Sequence, residues 1–123
     1  MDKKRILIVD DEKNFTQMVK MNLEETGKYI VRAENKGKQA LDAAREFKPH
    51  LILLDIVMPD MDGEEIAHNI GLDEELSKIP IVFLTAIVKE YEVESQAGII
   101  GGHPFIAKPV TTEKLIAYIE ENT

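Results

Sequence analysis

Three stretches, Ile6-Leu7-Ile8-Val9, Leu51-Ile52-Leu53-Leu54 and Ile81-Val82-Phe83-Leu84, are apolar at every position. No other feature limits the fold so strongly. A strand with one wet face alternates apolar and polar residues, whereas an unbroken apolar run rich in branched side chains belongs to a parallel sheet covered on both faces. Two patchier runs, residues 29–33 and 105–107, are shorter or broken by polar residues and suit edge strands.

Helical patterns separate the runs. Phe15, Met18, Val19 and Leu23 share one face, with Gly27 following as a C-terminal cap. Ala40, Leu41, Ala44 and Phe47 make a second face, stopped by Pro49. Ile66 and Ile70 mark a third helix that starts after Gly63 and ends somewhere before Pro80. Leu115, Ile116 and Ile119 mark the last, with Thr111 or Thr112 as its N-cap. Residues 87–102 read as a further helix, interrupted by Gly98, Gly101 and Gly102. The pattern is β-α repeated five times, an α/β chain with a five-stranded parallel sheet. Crossovers are right-handed, so covering both faces requires the winding to reverse once. The expected architecture is the flavodoxin-like doubly wound (βα)5 fold, strand order 2-1-3-4-5. Ligands bind such sheets beyond the carboxyl ends of the strands, at the switch point between strands 1 and 3.

Length and composition narrow the function. At 123 residues the chain is expected to form one domain over residues 1–123. A formal net charge of -8 argues against direct nucleic-acid binding, which needs a basic footprint. With no cysteine, disulfides, thiolate catalysis and zinc-thiolate sites are excluded. Lys3-Lys4-Arg5 before an apolar run would suit a signal peptide, but Asp10-Asp11-Glu12 ends that run at once. No stretch approaches the roughly 20 apolar residues of a membrane span. The expected location is cytoplasmic, with no membrane partner.

The strand ends carry the chemistry. Strand 1 runs into Asp10-Asp11-Glu12, strand 3 ends in Asp55, strand 4 in Thr85, and strand 5 stops just before Lys108-Pro109. Acidic residues after strand 1 suit a helix N-terminus, but that effect is worth only ~0.3–1 kcal/mol. With Asp55 opposite them the carboxylates repel. A hard divalent cation held by oxygen ligands resolves the conflict, Mg²⁺ with several retained waters first and Mn²⁺ as its substitute. A lone lysine at Lys108 would usually be a solvated surface residue, and Thr85 alone could simply cap the next segment. Together an acidic cation site, a hydroxyl and a lysine make a receptor for a phosphoryl group. A carboxylate held between them is a candidate nucleophile, giving an aspartyl phosphate.

Four motifs, ILIVDDE with Asp10 and Asp11, LLDIVMPDMDG with Asp55, FLTA with Thr85, and FIAKP with Lys108, span nearly the whole chain. In their order and spacing the chain closely resembles the receiver domain of bacterial two-component response regulators. The resemblance implies that Asp55 accepts a phosphoryl group from a histidine on a sensor histidine kinase or phosphotransfer protein. It further implies Mg²⁺ on Asp10, Asp11, Asp55 and the backbone carbonyl of Val57, with Thr85 and Lys108 on the phosphoryl oxygens. A cis Lys108-Pro109 bond is expected. Phe105 stands where the family places its switch aromatic, and Thr85 moving toward the phosphate would open space for that ring to turn inward. The face built from the fourth helix, fifth strand and fifth helix would then change toward a downstream protein target, a fused output domain or a phosphorylation-dependent dimer.

The chain departs from the family pattern at three points. Val57 and Ile87, two residues beyond Asp55 and Thr85, are apolar where many receivers are polar, so an in-line water should be hindered and the phosphate long-lived. Gly101-Gly102-His103-Pro104 replaces the usual run before the aromatic. Phe105 lacks a hydroxyl. Ala86 is small, as in many receivers.

Other classes fit less well. A haloacid-dehalogenase-type phosphatase carries Asp-x-Asp after strand 1, not adjacent Asp10-Asp11. A flavin site needs a Ser/Thr/Gly-rich phosphate loop there, and Asp-Asp-Glu would repel the cofactor's phosphate. The expectation is therefore a phosphoacceptor signalling domain that acts only on itself, not an enzyme with an external substrate. His50, His68 and His103 have no ligand spacing and read as surface or loop residues. Met18 and Met21 read as core or surface filler. Asp60, Asp62 and Gly63 serve the loop after Asp55, and Glu12 is placed near the cation, through water.

Overall fold

A computed structural model describes residues 2–86, 99–100, 102–108 and 110–123. Five parallel strands, β1 (Lys4–Val9), β2 (Tyr29–Glu34), β3 (Leu51–Asp55), β4 (Ile81–Thr85) and β6 (His103–Ala107), lie in the order β2-β1-β3-β4-β6. This is the doubly wound order 2-1-3-4-5 expected from the sequence. The helices are α1 (Lys13–Glu25), α2 (Ala40–Phe47), α3 (Gly63–Leu72) and a C-terminal helix (Thr112–Asn122).

The unbroken apolar runs divide by the strand period of two. Ile6, Ile8, Leu51, Leu53, Val82, Leu84 and Ile106 face one way, against Val19 and Leu23 of α1 and Leu115 and Ile119 of the C-terminal helix. Leu7, Val9, Ile52, Leu54, Ile81, Phe83 and Phe105 face the other way, against Ala40 and Ala44 of α2 and Ile66 and Ile70 of α3. Both faces are dry, so neither parity of a central strand can be polar.

Element ends follow local chemistry. Asp62 caps α3 by accepting from Glu64 N at 2.9 Å, and Thr111, not Thr112, caps the C-terminal helix by accepting from Lys114 N at 3.2 Å. Gly27 follows α1 at φ +77°, the left-handed geometry that ends helices. Arg5 Nε donates to the carbonyls of Phe47 and Lys48 at 3.1 and 2.9 Å, serving the C-terminal end of α2 before Pro49. Among the described residues no helix is long and apolar enough to cross a membrane.

One sequence expectation is corrected. The helix read over residues 87–102 does not reach that far, because Ile99–Ile100 forms a short strand, β5, antiparallel to β6. The pairs Ile99–Pro104 and Ile100–His103 leave Gly101-Gly102 as the connection, with Gly102 at φ +85°. Two β-branched residues followed by Gly-Gly are a hairpin signal that a helical reading overrides. Phe105–Ala107 is consequently not at the edge of the sheet, since β5 lies outside it. The remainder of the helix expected there, residues 87–98, lies outside the described residues.

Candidate functional site

Because β1, β3, β4 and β6 run in one direction, their carboxyl ends share one rim. Asp10 follows β1, Asp55 ends β3, Thr85 ends β4 and Lys108 follows β6. Asp10 and Thr85 are fully buried and Asp55 is 6% exposed, while Asp11 is open to solvent. One carboxylate oxygen from each of Asp10, Asp11 and Asp55 lies within 4.8 Å of the others. The backbone knits the rim together: Lys108 N donates to Thr85 O at 2.9 Å and Ile56 N to Leu84 O at 3.2 Å.

Lys108 reaches back across the sheet. Its Nζ lies 2.6 Å from Asp10 Oδ2, 3.1 Å from Glu12 Oε1 and 3.9 Å from Asp55 Oδ1, and 4.5 Å from the centre of the Phe15 ring. Asp10 is held from its other side. Its Oδ1 accepts from Glu12 N at 2.9 Å, and its backbone carbonyl accepts from Asn35 Nδ2 at 2.8 Å; the same amide donates to Thr16 Oγ1 at 3.0 Å.

These surroundings set the protonation. Burial, reinforced by the charge of Asp10 and only partly opposed by Lys108, pushes the Asp55 carboxyl up to about 7. Burial also raises Asp10, against the hydrogen bonds it accepts from Lys108 and Glu12 N. For Lys108 burial acts downward, but the pairing with Asp10, Asp55 and Glu12 outweighs it and the ammonium is held charged. Four acidic side chains, Asp10, Asp11, Glu12 and Asp55, gather around the one ammonium of Lys108, an excess of acidic groups at a rim where Asp10 and Asp55 are buried. The donors are all oxygen, which fits a hard cation such as Mg²⁺ or Mn²⁺ and not a soft one.

The loop after Asp55 is fastened to its surroundings. Asp60 Oδ1 accepts from Gly37 N at 3.1 Å and Oδ2 from Lys38 N at 3.2 Å, tying the loop to the turn before α2. Gly63 N donates to Ile56 O at 2.7 Å, and a Cβ at Gly63 would collide with the Asp55 carbonyl oxygen and come within 2.8 Å of Ile56 Cα. Val57, in this loop, is 55% exposed. Phe105 is already inside, packed in the core that includes Phe83 and Ile66.

The structure thus brings together Asp10, Asp11, Asp55, Thr85 and Lys108, the side chains nominated from sequence. Ile87 and the Lys108-Pro109 bond involve residues outside those described. Glu12, placed near the cation from sequence, is paired with Lys108. Asn35 and Phe15 escaped notice; the end of strand 2 beside strand 1 was the available signal for Asn35, and Phe15 read only as part of an apolar face. His103 sits on β6, half-buried, its ring edge-on to Phe83 at 5.7 Å.

The model of the response regulator receiver domain matches residues 6–120. The chain belongs to the response regulator receiver domain family. Solved receivers superpose on it closely. Chemotaxis protein CheY4 of Vibrio cholerae is 28% identical with a TM-score of 0.85, over 99% of this chain and 100% of that one. The receiver domain of a Pseudomonas aeruginosa sensor histidine kinase, which holds a magnesium ion in its active-site cleft, is 27% identical with a TM-score of 0.83, covering 98% and 97%. The N-terminal domain of a response regulator receiver protein from Methanoculleus marisnigri is 34% identical with a TM-score of 0.71, covering 95% and 94%. This receiver domain is accordingly a signalling element of two-component systems, a phosphorylation-dependent switch.

Proposed function

We propose that Asp55 is the phosphoacceptor of this receiver, taking its phosphoryl group from a histidine on a sensor kinase or phosphotransfer protein. One observation carries the reading: a buried carboxylate at the switch point of the sheet, with two carboxylates, a hydroxyl-bearing strand end and a lysine around it. As an O–P bond forms at Asp55, the P–N bond of the donor histidine breaks and the imidazole regains a proton. Asp10, Asp11, Asp55 and the Val57 carbonyl would hold Mg²⁺, which supplies positive charge against the phosphoryl oxygens. Lys108 compensates the same oxygens from the β6 side, and Thr85 approaches them from β4. Val57 and Ile87, two places beyond Asp55 and Thr85 in the sequence, are apolar, and on that ground the aspartyl phosphate is expected to last well beyond seconds. The readout is a change around Phe105 and the C-terminal helix that alters binding to a target protein, an output domain or a second copy. We place the signalling in the cytoplasm, where the kinase donor resides.

Incubation with acetyl phosphate and Mg²⁺ followed by intact-mass measurement tests the assignment. Wild type should gain one phosphoryl group and Asp55→Asn none; equal labelling of both overturns the choice of Asp55. Decay of the labelled protein within seconds would overturn the lifetime assignment.

A further inference from the structure

Lys108 and the cation need the same carboxylate. The shortest contact of the Lys108 ammonium is Asp10 Oδ2 at 2.6 Å, and Asp10 also belongs to the carboxylate triad that the proposed function loads with Mg²⁺. A divalent ion there would claim the oxygen and repel the ammonium. The lysine stem has four flexible carbons, so an ammonium without another partner would swing into solvent. Among the described residues two further contacts lie outside the triad, and both come from the start of α1. Glu12 Oε1 is 3.1 Å away, and the face of the Phe15 ring has its centre 4.5 Å from Nζ, inside the range of a cation–π contact. Phe15 is half-buried and packs against the core that includes Leu115 and Ile119, so its position is set by packing and not by the charge state of the rim. Its ring is neutral and does not compete for a metal. The Lys108 side chain is 11% exposed, a setting in which a cation–π contact is worth more than at an open surface.

We propose that Phe15, assisted by Glu12, is a positioning residue that keeps the Lys108 ammonium beside Asp55 when its bridge to Asp10 is given up to a cation. This rests on the phosphoacceptor reading above. The N-terminal turn of α1 is then part of the phosphoryl-handling site, although neither residue touches the phosphoryl group.

The test combines the shift of Lys108 with the rate of phosphorylation. The Lys108 side-chain resonances, identified by their loss in Lys108→Met, should be displaced upfield by the Phe15 ring. That displacement should persist at saturating Mg²⁺ and vanish in Phe15→Leu. Phosphorylation by acetyl phosphate should slow about fivefold in Phe15→Leu, the size of a contact of roughly 1 kcal/mol. It should recover in Phe15→Tyr, and Phe15→Leu should have no further effect in a Lys108→Met background. Thermal melts of each variant identify simple loss of folding. Resonances that move to free-lysine positions on adding Mg²⁺, or a Phe15→Leu rate equal to wild type, overturn the inference. A wild type that binds no Mg²⁺ and gains no phosphoryl group overturns the functional reading instead.

Discussion

Asp55 shows what a buried carboxylate costs the fold. Burial and the charge of Asp10 hold its carboxyl up to about 7 against an ordinary 3.8, so the folded state prefers it protonated. The stabilisation this gives is fully present below 3.8 and is lost as pH rises through about 7. In EDTA, Asp55→Asn should therefore be more stable than wild type at pH 8, by about 2–4 kcal/mol on the scale of 1.36 kcal/mol per unit. The advantage should shrink as pH falls from about 7 toward 4, as followed by urea denaturation. Equal stabilities at pH 8 would mean that Asp55 is better solvated than its burial implies. Adding Mg²⁺ at pH 8 should raise the melting temperature of wild type by ligand linkage, and that of Asp55→Asn much less. Gly63 is a second single-residue constraint. A methyl there meets the Asp55 carbonyl and the Ile56 backbone, neither of which can yield. Gly63→Ala should destabilise by ~2 kcal/mol or more, as overpacking against fixed backbone does, and should disturb Mg²⁺ binding with it.

At the scale of elements, function depends on how loops are fastened to helix starts. Asp62 caps α3 while Asp60, two residues earlier, accepts from two amides of the turn before α2. The segment after Asp55 is thereby held at both of its neighbours. Removing the Asp60 carboxylate should lower the melting temperature and raise hydrogen exchange at Gly37 and Lys38; unchanged exchange there would show the tie to be dispensable. Thr111→Ala removes the only side-chain bond at the start of the C-terminal helix in the described residues and should cost about 1 kcal/mol in chemical denaturation, with phosphorylation of Asp55 unaffected. The C-terminal helix is also pinned at its far end. Tyr29 Oη donates to Glu120 Oε2 at 2.6 Å, and Lys4 Nζ donates to the same carboxylate at 3.1 Å. The helix next to the proposed readout surface is thus tied to the sheet at the rim away from Asp55.

For the molecule as a whole, the sheet separates two apolar layers and gathers its polar strand ends at one rim. Leu53 is fully buried at the centre, between the β1 and β4 positions Ile8 and Val82. Leu53→Ala should cost ~3 kcal/mol, the usual range for a large-to-small change in a core that cannot collapse. The charge pattern has the same geometric origin: parallel strands deliver their C-terminal residues to one side, and the net charge of -8 includes the unbalanced carboxylates collected there.

Much of this was legible in the sequence, for a definite reason. The three four-residue apolar runs, the helical periods between them and the Pro and Gly stops are local patterns, and right-handed crossovers allow few ways to wind them. Once strands 1, 3, 4 and 5 are parallel, Asp10, Asp55, Thr85 and Lys108 must share a rim, whatever the side chains then do. Partner choice was a different matter. That Lys108 sits nearer to Asp10 and Glu12 than to Asp55, 98 positions from the first of these, depends on how β6 and α1 pack against the sheet. The Phe15 ring under its ammonium, Asn35 bracing Asp10 and Asp60 reaching the turn before α2 have the same origin. So does the β5–β6 hairpin, where a strand-forming Ile-Ile pair found a partner that a helical reading of the glycines could not supply. Periodicity and chain direction determined where the chemistry lies; only the tertiary structure decided which groups touch, because contacts between distant residues are set by side-chain packing that no local pattern encodes.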